Sequence, residues 1–265
     1  MDAIAQFKDN QRQAWSTFAP TEIYTCAPAA RLVAFARITS SQRVLDVGCG
    51  TGVVALAAAR TGARITGLDL TPELIAHAKQ NAAIAGAEAE WLVGDAEALP
   101  FEDGSFDAVV SQFGHMFAPR PDVALKEMLR VLKPGGTIAF ATWPPDFFTG
   151  RVFQLVGKFL PPLPPGVSPP VQWGNPVIVR ERLGTAVKDV VFDSGTMRAP
   201  YLSPQHVRAF MERSVGPVMK LTQMLQSEPA KLAEFRAAMD ALSMTYFEPT
   251  ENILRQDYLL TRAIK

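Results

Sequence analysis

Apolar positions along the first 143 residues fall into two alternating rhythms. RVLDVG (43–48) is a short apolar run ending on glycine, VVALAAAR (53–60) continues at helical spacing, ARITGLDL (63–70) is a second run, and PELIAHAKQNAAIAG (72–86) is helical again. The same alternation continues through AEWLVGD (89–95), FDAVVSQ (106–112), VALKEMLRVLK (123–133) and TIAFATW (137–143). Strands separated by single helices predict crossovers onto a parallel sheet and an α/β fold. Ahead of them lie an amphipathic segment at 6–18 and a helix predicted at 28–38.

The pattern changes after Trp143. Fourteen of the 21 prolines lie from residue 144 onward, including PPLPP at 161–165 and PP at 169–170, where irregular backbone is favoured over an interior strand. Helices are predicted again at 176–184, 204–215 and 229–244, with strands near 187–198 and 254–264. Three units are therefore expected: an N-terminal helical segment over 1–40, a core over 41–143, and an insertion with completion of the sheet over 144–265.

Composition narrows the function classes. Lysine plus arginine equals aspartate plus glutamate, 26 against 26, so no bulk basic surface supports nucleic-acid binding. Cys26 and Cys49 are the two cysteines of the sequence, too few for a disulfide scaffold, and three scattered histidines make no recognisable metal site. No basic leader precedes an apolar run at the N-terminus, and VVALAAA is far shorter than a bilayer span. A soluble, cytoplasmic protein without a membrane span is expected.

The candidate chemistry begins at VLDVGCGTG (44–52), a strand running into Gly48, Gly50 and Gly52. Such a turn lets the backbone approach a ligand at a helix N-terminus. The next strand ends in GLDL, which puts Asp69 at the sheet's C-terminal edge, where a carboxylate can accept from ribose hydroxyls. By itself, this arrangement would also suit a dinucleotide. In order, VLDVGCGTG, GLDLTPEL (67–74), GDAEALPFEDGSFDAVVS (94–111) and EMLRVLKPGGTIAFATW (127–143) resemble the class I S-adenosyl-L-methionine (SAM)-dependent methyltransferases. The similarity is to the small-molecule, methyltransferase type 11 branch, which includes ubiquinone and menaquinone biosynthesis enzymes.

The resemblance implies a Rossmann-like, seven-stranded, mostly parallel sheet with helices on both faces, plus an appended helical, proline-rich substrate-binding region. It also implies SAM as cofactor. Asp46 and the turn Gly48, Cys49, Gly50 and Gly52 would hold the methionine portion, Asp69 the ribose, and Leu70, Asp95 and Ala96 the adenine; Gln112 would also contact the cofactor. LKPGG (132–136) is assigned to architecture. The expected partner is a small, apolar or aromatic methyl acceptor.

SAM carries an already electrophilic methyl group, so a base is needed only for a protonated acceptor. His115, in SQFGHMF after the fourth strand, is a candidate base, with substrate orientation and a structural role as alternatives. Tyr24 is the second catalytic candidate, as part of an N-terminal lid with Trp15 and Phe18. The same segment could instead pack or make a homodimer contact. His206 could approach the pocket from the appended region, whereas His77 lies inside a helix. Trp143, Trp173, Tyr201, Met211 and other aromatics and methionines of the second half are expected to line an apolar acceptor pocket. Competing readings are an RNA or protein methyltransferase, a non-catalytic SAM-binding accessory protein, and a nicotinamide-dependent oxidoreductase.

Overall fold

The computed structural model describes residues 3–265. Residues 1 and 2 of the expected N-terminal unit lie outside the described residues. Helices α1 (Ala3–Trp15) and α2 (Glu22–Phe35) precede the first strand, β1 (Arg43–Val47), which is buried at every position after Arg43. A parallel strand covered by helices requires such continuous apolarity. α3 (Val53–Ala59), β2 (Arg64–Asp69), α4 (Pro72–Ala85) and β3 (Glu90–Val93) follow, and β2 and β3 extend the sheet on one side of β1. On the other side stand β4 (Phe106–Gln112) and β5 (Leu132–Thr142), joined by α5 (Pro121–Val131). These five strands are mutually parallel. Because the chain winds in opposite directions from β1, right-handed crossovers place α3 and α4 on one face and α5 on the other.

The second half supplies α6 (Phe148–Phe159), α7 (Pro176–Leu183), β6 (Lys188–Pro200), α8 (Pro204–Ser214), α9 (Gly216–Met224), α10 (Pro229–Tyr246), the short β7 (Phe247–Glu248) and β8 (Ile253–Ile264). β8 inserts antiparallel between β5 and β6, giving the order β3-β2-β1-β4-β5-β8-β6 with β7 paired to β8. The expected seven-strand, mostly parallel sheet is therefore present with one short additional strand. A second apolar core joins α6, α8, α9 and α10 through Phe148, Val152, Tyr201, Met211, Leu221 and Phe235. Among the described residues no helix is long and apolar enough to cross a membrane.

Three local predictions change. The helix predicted at 28–38 occupies Glu22–Phe35, with Pro28 inside it. Proline weakens a helix interior, but burial of Thr25, Pro28, Ala29, Leu32 and Val33 along one side offsets that cost. α6 and α9 were not predicted. α6 contains the poor helix formers Gly150 and Gly157, yet buries Phe148, Val152 and Val156 at four-residue spacing.

Candidate active site

The glycine turn after β1 is clasped from two sides. Gly48 has φ +67°, and a Cβ there would stand 2.8 Å from Gly114 Cα in the turn after β4. Gly52 has φ +86°, and a Cβ there would lie 2.6 Å from the Trp91 ring on β3. Both positions exclude a side chain by conformation and by space. From the end of β2, Asp69 braces the turn: its Oδ2 accepts from Gly50 N at 2.8 Å and its Oδ1 from Thr71 N at 2.9 Å. Burial raises the Asp69 pKa, while the Thr71 and Gly50 amides oppose the rise.

Asp46 lies beneath this turn. It is 1% exposed, its Oδ2 accepts from Ala55 N in α3 at 3.1 Å, and its Oδ1 has no hydrogen-bond partner. Burial pushes its carboxyl up to about 7, against the Ala55 amide and with a smaller contribution from the charge of Asp69.

A cavity opens beyond the C-terminal edge of β1, β2 and β4, where ligands of open α/β sheets bind. Of the expected cofactor residues, Gly48, Cys49, Gly50, Asp69, Leu70, Asp95, Ala96 and Gln112 line it. Asp46 and Gly52 stand behind the wall and shape it. Burial drives the Cys49 thiol well above its ordinary pKa, which leaves it a poor nucleophile. Gln112, at the end of β4, donates from Nε2 to the Thr25 carbonyl at 2.9 Å, and its buried Oε1 is unpartnered. The amide is thus oriented by α2, with one acceptor unused. Phe113, the next residue, adopts φ +58° and stacks on Trp143 at 3.7 Å between ring centroids. A left-handed aromatic residue at a strand end is a strained feature held by its surroundings.

α1 crosses the cavity mouth. Lys8 Nζ lies 2.6 Å from Asp95 Oδ2 and 2.6 Å from Glu97 Oε2, Gln11 donates to the Phe117 carbonyl at 2.8 Å, and Arg12 donates to the Leu70 carbonyl at 3.2 Å. Trp15 packs on Phe117 with centroids 4.6 Å apart. Lys8 and Gln11 were not recognised from sequence, where this segment offered its amphipathic spacing and Trp15 and Phe18 as lid residues.

The far half of the cavity is lined by Tyr24, Trp143, Thr149, Phe153, Tyr201, Met211, Val215, Leu254 and Gln256. Here α2, α6, α8 and β8 converge. The Tyr24 and Tyr201 rings stand side by side with centroids 6.5 Å apart, and burial raises both phenols, Tyr201 to about 12. Thr149 donates to Gln256 Oε1 at 3.1 Å. The expected apolar lining is narrower than the sequence suggested. Trp143, Tyr201 and Met211 reach the cavity, Trp173 and Met239 are core residues, and Phe147, Met224 and Met244 are exposed.

His115 borders the cavity, but its imidazole is packed against Phe140 and Trp173, with centroids 4.6 and 4.7 Å away. Both ring nitrogens are buried without a partner. Burial, assisted by the charge of Arg182, lowers the imidazole to about 3. So weak a base is badly matched to taking a proton near neutral pH. The backbone amide of His115 donates to Ser111 Oγ at 3.0 Å, and that hydroxyl donates to the Val47 carbonyl at 2.6 Å. The residue therefore ties the turn after β4 to the end of β1. His206 lies outside the cavity wall, where its Nδ1 accepts from Leu202 N at 3.1 Å, and His77 is exposed.

Comparison with known proteins gives this geometry a family. A model described as a methyltransferase domain matches residues 45–140. The uncharacterized protein Rv1403c of Mycobacterium tuberculosis is 34% identical over 235 residues, covering 88% of this chain and 85% of that protein. The demethylmenaquinone methyltransferase of Thermus thermophilus is 40% identical over 117 residues, 43% of this chain and 53% of that protein. Among solved structures, the Bacillus halodurans protein BH2331 shares the fold with a TM-score of 0.61 and 20% identity, covering 90% of this chain and 99% of that one. The chain belongs to the class I SAM-dependent methyltransferases, in the small-molecule methyltransferase type 11 branch, and transfers a methyl group from SAM to a small organic acceptor.

Proposed function

We propose that the acceptor is a small, largely apolar molecule with an aromatic or similarly flat body, bound in the half of the cavity formed by α2, α6, α8 and β8. The carrying observation is the character of that wall: Trp143, Phe153, Met211, Val215 and Leu254 surround a few neutral polar groups. Such a surface favours an apolar body and uses its few polar groups to fix orientation.

The cofactor half fits SAM on the features of its own residues. Gly48 and Gly52 leave backbone where side chains would intrude, and Gln112 presents an unused, buried acceptor suited to the methionine ammonium. In this reading Asp69 holds the ribose, and Leu70 and Ala96 flank the adenine. Asp95 faces the adenine edge while sharing its carboxylate with Lys8. Asp46 supports the turn and, when ionised, places a negative charge beneath the methionine end. When bound, SAM supplies a methyl group made electrophilic by its sulfonium.

The chain's own work is then alignment and exclusion of water. α1 and α2, within the 1–40 cap, cover the mouth; residues 41–143 hold the cofactor; residues 144–265 shape the acceptor half. Tyr24 and Tyr201 orient the acceptor, while His115 fixes the β4 turn.

Incubation of the protein with methyl-labelled SAM and an extract of host cells tests this assignment. Label is expected in an organic-soluble, low-molecular-weight fraction. Label confined to polar metabolites, RNA or protein would overturn it.

A further inference from the structure

The cavity's charged side chains, among the described residues, are Lys8, Asp69 and Asp95, and all three belong to the cofactor half. No carboxylate faces the acceptor half to accompany an ammonium group, whether on an incoming amine or on a methylated product. An uncompensated charge in such surroundings is costly. No base is available there either, since the imidazole of His115 is closed off between Phe140 and Trp173. What the wall does offer is a pair of phenols. Tyr24 comes from α2 and Tyr201 from the segment after β6; their rings stand 6.5 Å apart and both pack against Phe210. Both residues line the cavity, so two neighbouring phenolic hydroxyls stand at one wall, each able to donate a proton to a ligand.

Resting on the acceptor site proposed above, we propose that the acceptor reacts as an oxyanion, a phenolate or an enolate, whose oxygen is held by the Tyr24–Tyr201 hydroxyl pair. Its proton passes to solvent before the cavity closes. The oxygen–methyl bond then forms as the sulfur–methyl bond breaks, and the electron pair of the broken bond remains on sulfur as a thioether. One negative and one positive charge disappear together. A dry, apolar chamber favours this outcome over any transfer that leaves a cation behind.

The ionisation state of a bound chromophore tests the inference without turnover. 4-Nitrophenol absorbs differently as phenol and phenolate, and 4-nitroaniline has nearly the same shape without the acidic proton. With protein saturated by a cationic SAM analogue that cannot transfer a methyl group, the phenolate is expected to bind about tenfold more tightly than either neutral probe, and Tyr201→Phe to remove about tenfold of that binding. SAM affinity by calorimetry should stay within about twofold in this variant, which separates loss of the hydroxyl from loss of the fold. Nitroaniline binding as well as nitrophenolate, or nitrophenol binding only in its protonated form, would overturn the oxyanion while leaving an apolar acceptor site in place. Failure of both probes to bind would overturn the acceptor site and the inference with it.

Discussion

Lys8 and Asp95 meet at 2.6 Å, and the same ammonium lies 2.6 Å from Glu97, whose side chain is only 1% exposed. One side chain of α1 is therefore the latch between the helix across the cavity mouth and the loop after β3. Arg120 grips Glu97 from the other side at 2.7 Å, so Glu97 keeps a cation when Lys8 is removed. The carboxylate that loses its partner is Asp95.

Lys8→Ala is accordingly expected to loosen the helix without unfolding the sheet. SAM should dissociate faster and its affinity should fall by about threefold to tenfold, measurable by stopped-flow fluorescence and calorimetry. An unchanged dissociation rate would show that α1 does not retain the cofactor.

Asp46 gives a pH signature of definite sign. Its carboxyl is raised from 3.8 to about 7, so the folded protein holds this proton more tightly than the unfolded chain does. The contribution of Asp46 to stability must therefore fall as pH rises between about 4 and 7, and level off above that range. Thermal melting should show this decline in the wild-type protein and its loss in Asp46→Asn. SAM is a cation at its methionine end and should favour ionised Asp46, so its affinity is expected to rise with pH across the same range and to become flatter in the variant.

His115→Phe replaces two unpartnered buried nitrogens with carbon in an aromatic pocket. Stability should hold or improve by about 1 kcal/mol, because unpaired polar atoms no longer have to be buried. Methyl transfer should remain within about tenfold of the wild-type rate, with the same pH profile. A loss beyond about a hundredfold, together with loss of one limb of that profile, would make His115 the base.

Gly114→Ala probes the contact between two turns. A Cβ at residue 114 would lie too close to the Gly48 carbonyl oxygen and 2.8 Å from Gly48 Cα, both backbone atoms that cannot swing aside. The glycine turn would have to move as a whole. SAM affinity should drop by about a hundredfold and stability by about 1–3 kcal/mol, read by calorimetry and thermal melting.

The cofactor half was legible because its chemistry is written locally. β1 and the glycine turn adjoin in sequence, Asp69 ends the next strand, and periodicity located every strand and α-helix from Arg43 to Thr142. The acceptor half was less so. Thr149 and Phe153 sit on a helix disguised by two glycines, and Leu254 and Gln256 reach the cavity from a strand whose alternation marks only which face is buried. Gly114 carried a faint signal, a glycine just past a strand. The burial of His115 carried none, since Trp173, the ring that closes over it, lies 58 residues further along the chain.

The position of β8 between β5 and β6 also bears on the order in which the molecule assembles. Neighbouring pairings among β1, β2 and β3 close over short stretches of chain, whereas Leu254 and Gln256 must cross most of the sequence to face Tyr24. Contacts of high sequence separation form late and slowly. The cofactor turn should thus mature before the chamber beside it, and until β8 docks, the unpaired edge of β5 is the place where a half-folded molecule is open to wrong partners.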